Sequence, residues 1–201
     1  QPEKVLNLRM EYKELKELMI RNRSYRRFDE SKKIDACQLE KLVELCVYCA
    51  SGRNMQPLKY RTVLSEDECG QVFPLLGWAG YLTEWHGPAE GERPVAYIVQ
   101  CLDRNLTDNP MCDDGIQLEA LTLGAVSLGL GACIIKSFNA NKISEVLSLE
   151  PGLVPRHVIA LGVPAEEVVI EDMKDGDIRY WRSEDGIHHV PKRRLKEILV
   201  K

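Results

Sequence analysis

Residues 11–21 place Leu15, Leu18 and Met19 on one face of a predicted helix. A second helix is predicted over 36–50, where Leu39, Leu42, Val43, Cys46, Cys49 and Ala50 recur at helical spacing and Asp35 precedes them as a cap. Gly, Asn and Pro in "SGRNMQP" (51–57) then mark a loop. Residues 59–65 read as a strand and 66–82 as a helical or irregular stretch. Within and beyond it, residues 77–92 carry Trp78, Trp85, four glycines and a proline, the composition of a long excursion. The run "PVAYIVQCL" (94–102) is apolar without alternation, as a strand buried on both faces requires.

The longest apolar segment, 113–132, is apolar nearly all round, which predicts a central buried helix. Asp113 or Asp114 is its candidate cap, and Gly129 or Gly131 its end. Strands are predicted at 133–138 and 155–164, with a helix between them over 139–149 capped near Asn139 or Asn141. The acidic stretch 165–177 reads as solvated, and the basic tail 190–201 as a short strand or helix. Strands dispersed among helices, with no repeat and no linker, predict one α+β domain over residues 1–201.

Composition narrows the classes. The chain has 201 residues, 44% hydrophobic and 29% charged, with a net charge of −4. That balance suits a globular fold and argues against a dedicated nucleic-acid binder. No apolar run is long enough to span a membrane. Seven scattered cysteines, an odd number, make a poor disulfide framework and imply a reducing compartment, the cytoplasm. Cys46 and Cys49 form a C-x-x-C without a second pair to complete a metal site, and read as core thiols. The chain begins at Gln1 rather than Met, which leaves room for a removed leader or tag.

Against that acidic background one stretch stands out. "RNRSYRRF" (21–28) holds four arginines in eight residues, with a serine and two aromatics among them. Arginine grips phosphate through two parallel hydrogen bonds, and a hydroxyl and backbone amides complete such a grip. Asn54 and Gln56 carry both donor and acceptor, the equipment for the amide edge of a heterocycle. Together these suit a phosphorylated heterocyclic cofactor that brings its own reactivity. The plain alternative is that the arginines pair with the chain's 31 acids. Gly129-x-Gly131 lacks the third glycine of a dinucleotide fingerprint and sits between helix and strand in the wrong order. Neither a P-loop nor a G-x-S-x-G elbow is present. His188 and His189 would point to opposite faces of a strand, so no metal site is expected there; these histidines, with His86 and His157, read as solvated surface.

Five elements occur in order: "NRSYRRF", "ASGRNMQP", "LGLGACIIKSF", "IALGVP" and "PKRRLKEIL". Their succession resembles the FMN-dependent nitroreductase family across nearly the whole chain. The resemblance implies an α+β fold with a central mixed β-sheet surrounded by helices, in an interlocked homodimer with FMN at the interface. It implies that Arg23 and Ser24 hold the phosphate and ribityl chain and that Arg26 sits by the N1–O2 edge of the ring. Ala50, Ser51, Asn54 and Gln56 match the loop that reaches the flavin of the partner chain. Ile134 and Ile135 match the stretch packed on the ring, and the backbone of Lys136 or Ser137 the group facing N5. Lys192 and Arg193 match the basic residues that finish the phosphate site. Asn22 departs from the arginine usual at its position, and Lys136 from the usual Gly or Glu.

The activity implied is hydride transfer from NAD(P)H through flavin N5 to nitroaromatic or quinone-like acceptors, by a ping-pong mechanism. No side chain is then expected to be catalytic in its own right, and no metal is needed. Trp78, Trp85 and His86 are the candidate substrate rim. Reductive dehalogenation or other flavin chemistry on the same fold is one alternative. A non-catalytic FMN- or anion-binding module is the other.

Overall fold

The apolar runs of the sequence become one antiparallel sheet. In the computed structural model, which describes residues 10–200, strands β1 (Leu58–Val63), β2 (Ala96–Asp103), β3 (Gly131–Ile135) and β4 (Leu153–Gly162) stand in the order β1-β2-β4-β3. β2 is central, antiparallel to both β1 and β4, and its first seven residues are buried. The missing alternation has a physical cause, because both faces of this strand are covered. Ala96 and Ile98 enter one core cluster, while Tyr97, Val99 and Cys101 enter the other.

Helices α1 (Tyr12–Arg21), α2 (Ala36–Val47), α3 (Glu66–Val72), α4 (Asp113–Ser127), α5 (Ala140–Val146) and α6 (Leu195–Ile198) surround that sheet. The first cluster unites α2 and α4 with the sheet through Leu39, Leu42, Leu118, Leu121 and Ala125. The second unites α3 and α5 with the opposite face through Val72 and Ile143, and includes Phe28. Asp35 caps α2 in a reciprocal box with Gln38, and Asn139 caps α5 by accepting from the Lys142 amide at 3.1 Å.

α4 starts differently from the expectation. Cys112 is its N-cap, and Asp113, buried, turns to the loop after α2 instead. Its end follows the pattern: Gly129 takes φ +75°, donating to Val126 O at 3.0 Å, while Leu130 donates to Ala125 O at 2.8 Å. These two bonds make a Schellman stop, which turns the chain directly into β3.

The acidic stretch 165–177 is not merely solvated. It supplies β5 (Val168–Asp172), which joins β6 (Trp181–Arg182) and β7 (His188–Lys192) in a second sheet ordered β5-β7-β6. β5 and β7 run parallel, β6 and β7 antiparallel. The basic tail thus becomes β7 followed by α6; Lys201 lies outside the described residues.

Among the described residues no helix is long and apolar enough to cross a membrane. All seven cysteines are free thiols. Burial pushes Cys46 up to about 11, which agrees with its reading as a core thiol, while Cys49 is half-buried.

Candidate functional site

The arginine-rich segment is fastened at several points. Phe28 is fully buried in the second core cluster. Ser24 forms a parallel bridge to Ala132 on the free edge of β3, and the Tyr25 amide donates to Ala132 O at 3.0 Å. This close approach needs Gly131, since a Cβ there would sit 2.8 Å from the Tyr25 ring. Glu166 takes the two backbone amides that follow: its Oε1 accepts from Arg26 N at 2.5 Å and Arg27 N at 3.1 Å. Successive residues then point opposite ways. Arg27 pairs with Glu92 at 2.8 Å, while Arg26 lines a cavity on the other side.

That cavity measures about 310 Å³. Arg23, Ser24 and Arg26 come to it from the N-terminal segment, Ala132 and Ile134 from β3, and His188 and Lys192 from β7. Glu119 of α4 and Tyr180, just before β6, complete the part that matters electrostatically. Three cations face one carboxylate, and Glu119 already accepts from Asn22 Nδ2 at 3.1 Å. Arg23 donates to Met19 O at 2.9 Å, but its Nε is buried without a partner among the described residues. Burial lowers its pKa from the ordinary arginine value, against the opposing pull of Glu119.

Arg26 is held from three sides. It donates to Ser24 O at 3.2 Å, lies 4.8 Å over the Tyr180 ring, and has Nη1 3.1 Å from His188 Nε2. Because arginine only donates, that His188 nitrogen must accept, which puts the imidazole proton on Nδ1. Nδ1 is buried and has no partner among the described residues. Burial, with Arg26, Arg182 and His189 adding to it, pulls His188 down to about 4. The imidazole is therefore neutral at pH 7 and adds no repulsion to the cation set.

The β-strand alternation read from the sequence does separate the two histidines, but neither is free surface. His188 is fully buried in the cavity wall. His189 stacks on Trp181 at 3.9 Å, bonds Glu171 through Nδ1 and lies 3.3 Å from Ser183 Oγ. His157 is likewise buried, 3.0 Å from Gln100 Oε1, while His86 is exposed.

Other expected site residues divide. Ile134 is 39% exposed on the cavity wall, whereas Ile135 is 4% exposed and packs in the core, because adjacent strand residues face opposite ways. Lys136 and Ser137 follow immediately, both exposed, with Ser137 O taken by the Gly77 amide at 2.7 Å. Neither they nor Arg193 line the cavity. Trp78 and Trp85 pack on each other, 6.4 Å between ring centroids, with Arg182 4.7 Å over Trp85. They face inward, and of the excursion it is Tyr81, 4.9 Å from Tyr180, that approaches the cavity wall.

The loop after α2 stands apart from this cavity. Asp113 accepts from Ser51 Oγ at 2.5 Å and Gly52 N at 2.8 Å, and Ser51 Oγ accepts from the Gln56 amide at 2.8 Å. Arg53, Asn54 and Gln56 all adopt positive φ. The result is a tightly bonded loop whose Ala50, Asn54 and Gln56 are exposed.

Several solved structures superpose on this arrangement. A nitroreductase-family protein from Clostridium novyi NT matches with a TM-score of 0.63 and 22% identity, over 95% of this chain and 100% of that one. A protein from Desulfovibrio desulfuricans, described as a nitroreductase in complex with FMN, gives 0.65 and 20% over 93% and 95%. The chain has the nitroreductase fold. An FMN-dependent nitroreductase from Clostridium difficile R20291 shares that fold at 0.62 and 19%, over 80% and 92%. No protein-family model matches the sequence. The four strands of the main sheet are antiparallel, and its parallel contact is the isolated Ser24–Ala132 bridge.

Tyr180, His188, Glu166 and Glu119 were not legible as site residues. Each lies in a segment whose local pattern signals only a solvated strand, a polar turn or a helix surface.

Proposed function

We propose that the cavity holds FMN and that the protein is a flavin oxidoreductase of nitroreductase type. One observation carries the reading: Arg23, Arg26 and Lys192, from two ends of the chain, converge on one cavity with Ser24 and the exposed Ile134. The fit has independent support in the unpartnered Arg23 Nε and His188 Nδ1, both on residues that border the space. Buried donors are costly when unpaired, and a phosphorylated, carbonyl-rich ligand offers acceptors. The FMN named with the D. desulfuricans and C. difficile proteins agrees with this choice.

When bound, FMN supplies two-electron hydride chemistry at N5, between a reduced nicotinamide and a nitroaromatic or quinone-like acceptor in alternation. The protein's part is to bind and polarise. Arg23, Ser24 and Lys192 hold the phosphate. Arg26, beside a neutral His188, would stabilise negative charge on the ring. Ile134 gives an apolar wall. The exposed backbone at Lys136 is the candidate group facing N5, and NADH or NADPH is the electron donor.

The site is completed by a second copy of the chain in this reading. α1 has no buried residue, and Tyr12, Leu15, Met19 and Ile20 are exposed along it, as are Val47 and Tyr48 at the end of α2. Apolar surface of this extent is what a dimer interface covers. The stiff loop bearing Asn54 and Gln56 would then serve the other copy's cofactor. The free cysteines agree with a reducing compartment, and in this reading the enzyme is cytoplasmic.

The test is an absorbance spectrum of the purified protein after FMN addition and desalting, followed by anaerobic NADH or NADPH. Retained flavin that bleaches supports the full reading. Retained flavin that stays oxidised with both nucleotides removes nicotinamide as the donor. A protein that retains no FMN removes the cofactor.

A further inference from the structure

We infer that Glu166 is a positioning residue for the cation set: it fixes the backbone of the arginine segment so that Arg26, and not Arg27, faces the cavity. The inference rests on the FMN reading for what the cavity holds, but its geometry does not.

Glu166 lies just beyond the end of β4, in a stretch whose sequence suggests a solvated acidic run. Its side chain is only 1% exposed. A carboxylate removed from water this far needs partners for both oxygens. Oε1 accepts from the amides of Arg26 and Arg27, at 2.5 and 3.1 Å. Two successive amides turned toward one anion form a small nest, and the anion fixes the backbone that presents them. Oε2 accepts from Arg182 Nη2 at 2.9 Å, and the guanidinium of Arg182 rests 4.7 Å over the Trp85 ring. Glu166 therefore ties the arginine segment to the second sheet and to the 77–92 excursion at once.

The consequence reaches the cavity through geometry. With both amides directed at Glu166, Arg26 runs toward His188 and Tyr180 while Arg27 runs to Glu92. The segment's other backbone bonds, Tyr25 N to Ala132 O, Phe28 N to Glu92 O and Ala165 N to Arg27 O, hold its two ends, and Glu166 holds the amides of Arg26 and Arg27 between them and with them that division. The Arg27–Glu92 pair alone cannot enforce it, since it lies on the outer side and is about one-third exposed.

The experiment uses the full chain and two readouts, one of them free of cofactor. In the apo-protein, hydrogen exchange of the Arg26 and Arg27 amides is compared between wild type, Glu166→Leu, which leaves no acceptor for them, and the double variant Glu166→Leu/Arg182→Met. FMN affinity is then measured by flavin fluorescence quenching for the same proteins, with Glu92→Gln as control. Glu166→Leu is expected to speed exchange at both amides and weaken FMN binding at least tenfold. The double variant, which no longer buries an unpaired Arg182, is expected to regain thermal stability but neither amide protection nor FMN affinity. Glu92→Gln is expected to bind FMN within about twofold of wild type.

Recovery of protection and affinity in the double variant would overturn the inference, because Glu166 would then serve only to neutralise Arg182. Unchanged amide exchange in Glu166→Leu would overturn it as well. If wild type itself binds no FMN while Glu166→Leu still loses amide protection, the cofactor reading fails and the positioning role stands.

Discussion

Arg26 Nη1 and His188 Nε2 meet at 3.1 Å, in the wall of a cavity that neither could form alone. A cation beside an imidazole is tolerable only while the imidazole is neutral, so this contact makes the protein sensitive to acid. The unfolded His188 protonates near pH 6.5, the folded one only near 4. Its folded pKa is depressed, so its contribution is intact above pH 6.5 and is lost as pH falls from 6.5 to 4, levelling off below. The shift corresponds to about 3 kcal/mol at most. Urea midpoints at about pH 7 and pH 4 should differ by correspondingly less in His188→Leu than in wild type. Equal acid sensitivity in both would remove His188 as the cause.

The two faces of the arginine segment predict unequal mutants. Arg23→Ala should weaken FMN binding by about tenfold or more, the scale of a lost charge-assisted hydrogen bond of ~1.5–3 kcal/mol. Arg27→Ala, which removes only the Glu92 pair, should change it little. Titration of apo-protein with FMN measures both, and equal losses would show that the two side chains are not divided by the cavity.

Phe28 and Gly162 form a coupled pair. A Cβ at Gly162 would lie 2.8 Å from the Phe28 ring. Gly162→Ala should cost about 1–3 kcal/mol by overpacking, and Phe28→Ala about 3–5 kcal/mol by leaving a void. In the Phe28→Ala background the ring contacts are gone but the Cβ of residue 28 still lies 2.9 Å from the added methyl, so the Gly162→Ala cost should shrink without vanishing. A double-mutant cycle from denaturant melts gives the answer; strict additivity would contradict the packing described.

Asp113 predicts a local rather than a global effect. Its replacement by Ala strips partners from Ser51 Oγ and Gly52 N, at about 1–3 kcal/mol. The loop should loosen first, and trypsin should then cut after the exposed Arg53 faster than in wild type. Mass spectrometry of the earliest fragments would reveal whether the cut falls there.

Much of the main sheet was legible because its signals are local. Asp35 with Gln38, Asn139, Gly129 and the unalternating run of β2 each dictate a cap, a stop or a buried strand within a few residues. Arg23, Ser24, Arg26, Ile134 and Lys192 were expected together from the order of motifs, and all five line one cavity. The second sheet was not, since β5 mixes Val168, Val169 and Ile170 with acids and pairs with a partner twenty residues later. Ile135 packs in the core, and Trp78 and Trp85 pack on each other, for a related reason: facing is settled by packing against distant elements. Glu166 and His188 carry no local mark at all, because their environment is made by residues remote in sequence.

Ser24 binds the edge of β3, and Arg26 meets a residue 162 positions away. Both contacts close long loops and border the cavity, so its wall holds together segments remote in sequence. A ligand seated there would act as a latch on the chain's two ends, and its arrival should be felt most in how slowly those ends release.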